Sequence, residues 1–218
     1  MPVTRLFLVR HGQSAGNAEG RFGGHSPTPL SDLGIRQAEQ TAKVLAKEKI
    51  TAIYSSDLYR AVQTAEPLSR MTAIPVFTKA AFRERHVGVL EGLTFAESRR
   101  RFPGDYSALV NRNLDHVITG GESYRDLIRR TMKQLWEIVE NHRGGRVVIF
   151  SHTGAICFMT LSLLGAIRRD TRSTPWITTS NCGITRFEIQ GRRNIRLLTV
   201  NDTRHLAETT GNDSFAAL

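Results

Sequence analysis

The sequence predicts an α/β fold: a three-layer αβα sandwich around a mostly parallel central sheet with an antiparallel edge, plus a helical insertion over one end of the strands. Three observations predict it. Short apolar runs of strand length recur along the chain, stretches with apolar residues on one helical face separate the early runs, and the last two runs flank a tight turn. A strand-helix-strand rhythm of this kind implies parallel strands joined by right-handed crossovers, with helices on both faces.

Residues 4–9 form the first expected strand. The loop after it, through Pro27 and Pro29, ends at Ser31, a good N-cap for a helix to about Lys47 with Ile35, Ala38, Ala42 and Leu45 on one face. A second strand covers 52–55, Ser56 or Asp57 starts a helix to about Arg70, and a third strand covers 74–78. From Ala80 to about Asn141 the rhythm gives way to helices and loops. Thr94 with Glu97 and Ser123 with Asp126 have capping-box spacing, the first opening a short helix and the second a longer one to about Asn141. Phe102-Pro103-Gly104 between them reads as a turn. The sheet resumes at 146–151, a helix runs from about Gly154 to Leu164, and runs at 182–190 and 196–201 flank Gly191-Arg192-Arg193 as an antiparallel hairpin at or near a sheet edge. The tail after Leu206, through 209–213, reads as weakly ordered. With no repeat or linker, 1–218 is expected to be one domain, with 80–141 as a cap within it.

Composition fits a soluble enzyme. The chain has 218 residues, 40% of them hydrophobic, enough for one good core. No apolar run nears the ~20 residues that span a bilayer. Met1-Pro2-Val3 leads into a strand without a signal-peptide pattern, so a cytoplasmic protein is expected. Cys157 and Cys182 imply no disulfide framework, and both are expected reduced. The net charge of +10 comes from 30 basic and 20 acidic residues, and 25 of the basic ones are arginine. The densest clusters, Arg99-Arg100-Arg101 and Arg168-Arg169, lack aromatic interleaving, so solvated faces are expected rather than a specific nucleic-acid site. A homodimer paired through the hairpin edge is a candidate assembly.

Four segments carry chemistry: Arg10-His11-Gly12, Arg60, Arg83-Glu84 and Ser151-His152. The first and last each follow an apolar strand, so each histidine emerges where a strand ends, the edge at which open α/β sheets bind ligands. An imidazole has a lone pair available near neutral pH, which makes His11 a plausible nucleophile toward phosphorus. Guanidinium forks hold phosphoryl oxygens without deprotonating, a role for Arg10 and Arg60. A leaving alkoxide needs a proton, and a carboxyl kept protonated by anionic surroundings could give it and then activate water. Glu84 is the candidate, with Glu91 and Glu97 close by in the chain.

These segments sit within a longer ordered set: Leu8 to Ser14 with Asn17, Pro29-Leu30-Ser31, Tyr54 to Leu58 with Arg60, Arg83-Glu84, Gly120-Gly121-Glu122-Ser123, Ser151-His152-Thr153-Gly154 and Asn201-Asp202-Thr203. The set covers nearly the whole chain and resembles the histidine phosphatase superfamily, also called the phosphoglycerate mutase-like family. The resemblance implies that His11 is phosphorylated and that Arg10, Arg60 and His152 grip the phosphoryl group. It also implies that Asn17 adds a hydrogen bond and that Glu84 is the acid/base. Gly23, Arg85 and Thr153 are further expected phosphate or substrate contacts. Where many members read Arg-x-Gln-Gly, this chain reads Arg21-Phe22-Gly23-Gly24, so Gly23 offers only its backbone N–H.

Within the family the resemblance leans to the phosphatase branch. Mutases resembling this chain read Glu-Arg-His-Tyr-Gly with a later lysine and an Arg-Arg pair, whereas here Val87 replaces the tyrosine, Phe95 the lysine, and Asn111-Arg112 the pair. The expected activity is thus a metal-independent phosphomonoesterase with no cofactor, acting on a small phosphorylated substrate. The alternatives are a 2,3-bisphosphoglycerate-dependent mutase, a non-catalytic phosphate- or nucleic-acid-binding module, and a metal hydrolase, though neither HxH nor HExxH spacing occurs. Phe22, His25, Phe82, Arg85, His86 and Phe95 are expected to line the pocket, and Arg83 or Arg21 could join them.

Overall fold

The computed structural model describes residues 2–207 and 209. Its elements follow in the order β1 (Thr4–Arg10), α1 (Ala15–Ala18), α2 (Asp32–Ala46), β2 (Ala52–Ser55), α3 (Tyr59–Thr72), β3 (Val76–Thr78), α4 (Phe95–Arg101), α5 (Pro103–Val110), α6 (Tyr124–Asn141), β4 (Arg146–Ser151), α7 (Thr153–Leu163), β5 (Ile184–Gly191) and β6 (Asn194–Asp202). The strands build one sheet in the order β3-β2-β4-β1-β5-β6. The first four are mutually parallel, and β5 and β6 close one side antiparallel.

The apolar runs of β1 and β4 have no polar face because both faces of the sheet are covered. Leu6 and Leu8, paired with Val147 and Ile149, turn to the side of α6 and α7, where Leu127, Leu135 and Phe158 meet them. Phe7 and Val9, paired with Val148 and Phe150, face Ala42 and Leu45 of α2 and Ala65 and Leu68 of α3. This is the three-layer sandwich. α4 and α5 gather around a smaller apolar cluster in which Phe22, Val87, Leu90 and Ile118 are buried. α6 packs against α7 as one of the sandwich's own helices.

Local signals set most boundaries. Ser31 Oγ accepts from Gly34 N–H at 3.1 Å and caps α2, and both capping boxes form, at Thr94 and at Ser123. α3 begins at Tyr59 rather than at Ser56 or Asp57. The Ser56 hydroxyl accepts from Leu58 N–H at 3.2 Å, and the Asp57 carboxylate is taken by the Arg83 fork at 2.7 and 2.6 Å, which keeps 56–58 in a turn. Phe102-Pro103-Gly104 is not a turn but the start of α5, with Pro103 in the first helical position, where its missing N–H costs nothing. The third strand is confined to Val76–Thr78, and the four-residue α1 had no periodicity to announce it.

Cys157 and Cys182 are buried free thiols, each pushed up to about 12 by burial. Of the tail expected to be weakly ordered, 208 and 210–218 lie outside the described residues. The Thr209 carbonyl accepts from Gln37 Nε2 at 3.0 Å. Among the described residues no helix is long and apolar enough to cross a membrane.

The sheet edge carries a stability prediction. Asp202 accepts from Arg204 at 2.9 Å and from Arg186 of β5 at 2.7 Å, and these bonds hold its carboxyl far below the usual range. A carboxylate depressed on folding stabilises above its unfolded pKa and stops doing so as pH falls through the folded one. Asp202→Asn is therefore expected to cost about 1.5–3 kcal/mol at pH 7. Denaturant titrations repeated at falling pH should show the gap to wild type closing.

Candidate active site

Register places the two histidines. Arg10 of β1 pairs with Ser151 of β4 in parallel, so the residue after each leaves its strand at the same level. His11 and His152 stand with ring centroids 5.1 Å apart. Backbone bonds fix this edge: His11 N–H donates to Ser151 O at 2.9 Å, and Cys182 N–H donates to Arg10 O at 3.0 Å.

His11 Nδ1 lies 2.7 Å from Gly12 O. A carbonyl only accepts, so Nδ1 carries the hydrogen and the lone pair is on Nε2. Arg60 Nε donates toward that lone pair at 3.3 Å. Burial, then the charges of Arg60 and Arg10, pull the His11 pKa well below 6.5, and the ring is neutral at physiological pH. The tight path depends on Gly12, since a Cβ there would lie 2.6 Å from Gly34 O.

Both expected arginines are buried. Arg60 is anchored by Nη1 to Ser26 O at 2.9 Å and Nη2 to Gly24 O at 2.8 Å, and burial lowers its pKa to about 10, which leaves it charged. Arg10 Nη1 donates to Thr179 O. His152 occupies the N-cap of α7 with Nε2 2.9 Å from Ser56 Oγ. With one of its two lone pairs taken by Leu58 N–H, that hydroxyl still has its hydrogen to give to Nε2. In that tautomer His152 Nδ1 carries the ring hydrogen, and this atom is buried without a protein partner. Burial and Arg60 hold this ring neutral too, so it is a neutral donor.

Glu84 reaches the same cavity, with Oε1 accepting from Arg85 N–H at 2.8 Å and Oε2 from Gly154 N–H at 2.9 Å. Asn17 closes the capping box of α1 with Ser14. Its Oδ1 accepts from Ser14 N–H and from Asn181 Nδ2, so the amide NH2 is its donor end. Asn181 also donates to His11 O at 3.0 Å, a support that sequence reasoning missed.

One cavity of about 910 Å³, open mouth included, is lined by Arg10, His11, Asn17 and Arg60 together with Gly23, Glu84, Arg85 and Thr153. Of the expected site residues, all but His152 line this cavity, and His152 stands next to His11 with ring centroids 5.1 Å apart. A model of the histidine phosphatase superfamily (branch 1) matches residues 6–203. The chain belongs to that superfamily.

Known histidine phosphatase relatives include a metal-independent phosphoserine phosphatase of Arabidopsis thaliana, 40% identical over 71% of this chain and 66% of that protein. A probable phosphoglycerate mutase of Salmonella choleraesuis is 33% identical over 86% of each chain. Among solved structures, mycobacterial glucosyl-3-phosphoglycerate phosphatase superposes with a TM-score of 0.81 at 30% identity, covering 92% of this chain and all of that one.

The rest of this histidine phosphatase cavity corrects the expected lining. Phe22 and Arg85 face it, but His25, Phe82, His86 and Phe95 are not among its walls. Phe82 is fully buried in the main core, and Phe95 packs edge-on against Phe22 with centroids 4.9 Å apart. His25 packs edge-on against His86 with centroids 4.7 Å apart. Arg83 is held by Asp57, and Arg21 by Glu19 and Gly92 O. Leu109, Val110, Arg112 and Trp176 supply walls instead. Trp176 comes from the irregular stretch between α7 and β5, where no periodicity signals direction.

At Gly23, where the family resemblance leads to the expectation of a glutamine, a Cβ would meet only Arg60 Nη2 and Cζ within 4 Å, at 3.7 and 3.8 Å, which is ordinary contact. Gly23→Gln should fold, add an amide donor to the phosphoryl site, and lower KM for phosphomonoesters several-fold. Steady-state kinetics on one ester check this.

Proposed function

We propose that the chain is a metal-independent phosphomonoesterase that moves the phosphoryl group of small phosphorylated metabolites first to His11 and then to water. The observation that carries this is the His11 Nε2 lone pair, held in one tautomer by Gly12 O and flanked by Arg60. In the first step Nε2 bonds to phosphorus while the bond from phosphorus to the ester oxygen breaks and Glu84 protonates that oxygen. In the second, Glu84 takes a proton from water as it attacks, and the phosphorus–nitrogen bond breaks to free His11 and phosphate. Arg10, Arg60, Asn17 and His152 Nδ1–H meet the charge on the phosphoryl oxygens in both transfers.

Water is favoured over a second substrate hydroxyl by the wall opposite. Val87 in that wall gives it no side-chain donor, and Phe95, where the mutases carry a lysine, is packed against Phe22 instead of lining the cavity. Arg85, with Nη1 lacking a protein partner, and Arg112 keep the mutase reading in view, and they suit an ester with a second anionic group such as a carboxylate. The test is phosphate release from a panel of phosphomonoesters with chelator present, beside a 3-phosphoglycerate isomerisation assay with and without 2,3-bisphosphoglycerate. Release that His11→Ala removes, without isomerisation, supports the phosphatase. Bisphosphoglycerate-dependent isomerisation overturns it in favour of a mutase.

A further inference from the structure

The segment carrying Glu84 has little regular structure of its own. It leaves a short 3-10 turn at Ala80–Phe82, and its backbone carbonyls lack the partners that a helix or strand would give them. Ser151 Oγ donates to Phe82 O and His25 Nε2 to Glu84 O, both at 2.8 Å, and Arg130 of α6 supplies the rest. Its Nη1 donates to Ala81 O and Arg83 O, both at 2.8 Å, and its Nη2 to Glu84 O at 2.8 Å. The remaining two N–H groups grip both oxygens of Glu122, through Nε and Nη2. All five donors of the guanidinium are thereby used. Glu122 in turn accepts from His86 N–H at 3.0 Å, so the pair brackets Glu84 from both sides along the chain. α6 is a rigid base for this clamp, because Leu127 and Leu135 are fully buried in the core.

We propose that the Arg130–Glu122 pair is the positioning device for the Glu84 carboxyl, holding its backbone so that the side chain sits across from His11. Neither residue touches the reacting atoms. The fork is the essential feature: lysine would bring three donors from a single point and could not span three carbonyls and a carboxylate. This inference rests on Glu84 being the acid of the proposed phosphatase.

The experiment is a double-mutant cycle of Arg130→Lys and Glu84→Gln, read as kcat/KM, which covers only the steps through His11 phosphorylation and departure of the leaving group. Phenyl phosphate, whose oxygen gains from protonation, is compared with 4-nitrophenyl phosphate, whose phenolate leaves readily without it. Arg130→Lys is expected to lower kcat/KM for phenyl phosphate by about 10²-fold and for 4-nitrophenyl phosphate much less. In the Glu84→Gln background the same substitution should change either value less than about twofold, because nothing is left to position. Glu122→Gln, with a smaller perturbation of the fold, should repeat the pattern at lower amplitude and serves if Arg130→Lys does not fold. Equal losses on both esters, or an undiminished loss in the Glu84→Gln background, would overturn the assignment. Wild-type phosphate release that survives His11→Ala would instead bring down the proposed function itself.

Discussion

His11→Ala is expected to cut phosphate release by at least about 10⁴-fold for every ester while leaving the fold intact, since it removes the bond-forming atom and not merely a contact. His152→Ala should cost less, about 10²–10³-fold, because it deletes one donor to the phosphoryl oxygens and leaves the nucleophile in place. Single-turnover quenching with labelled substrate separates the two: wild type and His152→Ala should form an acid-labile protein-bound phosphate, and His11→Ala none. The pH dependence follows from the same geometry. Burial and the neighbouring arginines hold both rings well below 6.5, so neither should titrate near that value in the free protein. A base whose pKa is depressed on folding takes up a proton on unfolding once pH drops below the unfolded value. Stability is then full above pH 6.5 and falls as pH goes down from 6.5 toward the folded pKa, by at most about 1.4 kcal/mol per pH unit for each histidine. His11→Ala should flatten that slope by one proton. NMR titration of the imidazoles and chemical unfolding at pH 5.5 to 7.5 measure it, and a His11 signal moving with a midpoint near 6.5 would contradict the neutral-nucleophile assignment.

Much of the site was legible because its geometry follows from strand order. The runs at 4–9 and 146–151 have no polar alternation, which marks strands covered on both faces, and two such strands side by side deliver His11 and His152 to one edge. Arg60 was readable for a related reason, since the helix carrying it starts just after the neighbouring strand β2. Side chains acting through backbone carbonyls at long range were not legible. Arg130 beside Arg129 looks like surface charge on an amphipathic helix, and only the fold reveals that its five donors converge on 81–84 and Glu122. Asn181 has no local spacing that ties it to His11 O. The misplaced lining residues fail likewise: Phe82 and His86 lie in or beside short 3-10 turns with no period of two or 3.6, and Phe95 opens a helix of only seven residues, too short for a period to show which way it points. Pro103 looked like a turn because the same residue serves turns and first helical positions alike.

Gly154→Ala is expected to separate stability from catalysis. Gly154 is the second residue of α7, where alanine favours a helix over glycine by roughly 0.5–1 kcal/mol. The only group in the way of its Cβ is the Glu84 carboxyl, with Oε1 at 2.4 Å and Cδ at 3.2 Å. A carboxyl at the end of a flexible side chain can swing aside without moving the backbone, so the fold should survive with an unchanged or slightly higher melting temperature. Glu84 would then leave its place and lose Gly154 N–H as a partner. A displacement of about 1 Å in a proton donor is worth on the order of 10²-fold in rate. The loss should grow as the leaving group becomes more basic and shrink toward nothing for 4-nitrophenyl phosphate in kcat/KM. Glu84→Gln sets the limit of that slope, since general acid catalysis contributes about 10²–10⁴-fold and the amide cannot supply it. Plotting log kcat/KM against leaving-group pKa for wild type, Gly154→Ala and Glu84→Gln should give three lines of increasing steepness that converge at the acidic end. Parallel lines would show that Glu84 does not protonate the leaving oxygen, and the acid would then have to be sought elsewhere among the groups lining the cavity.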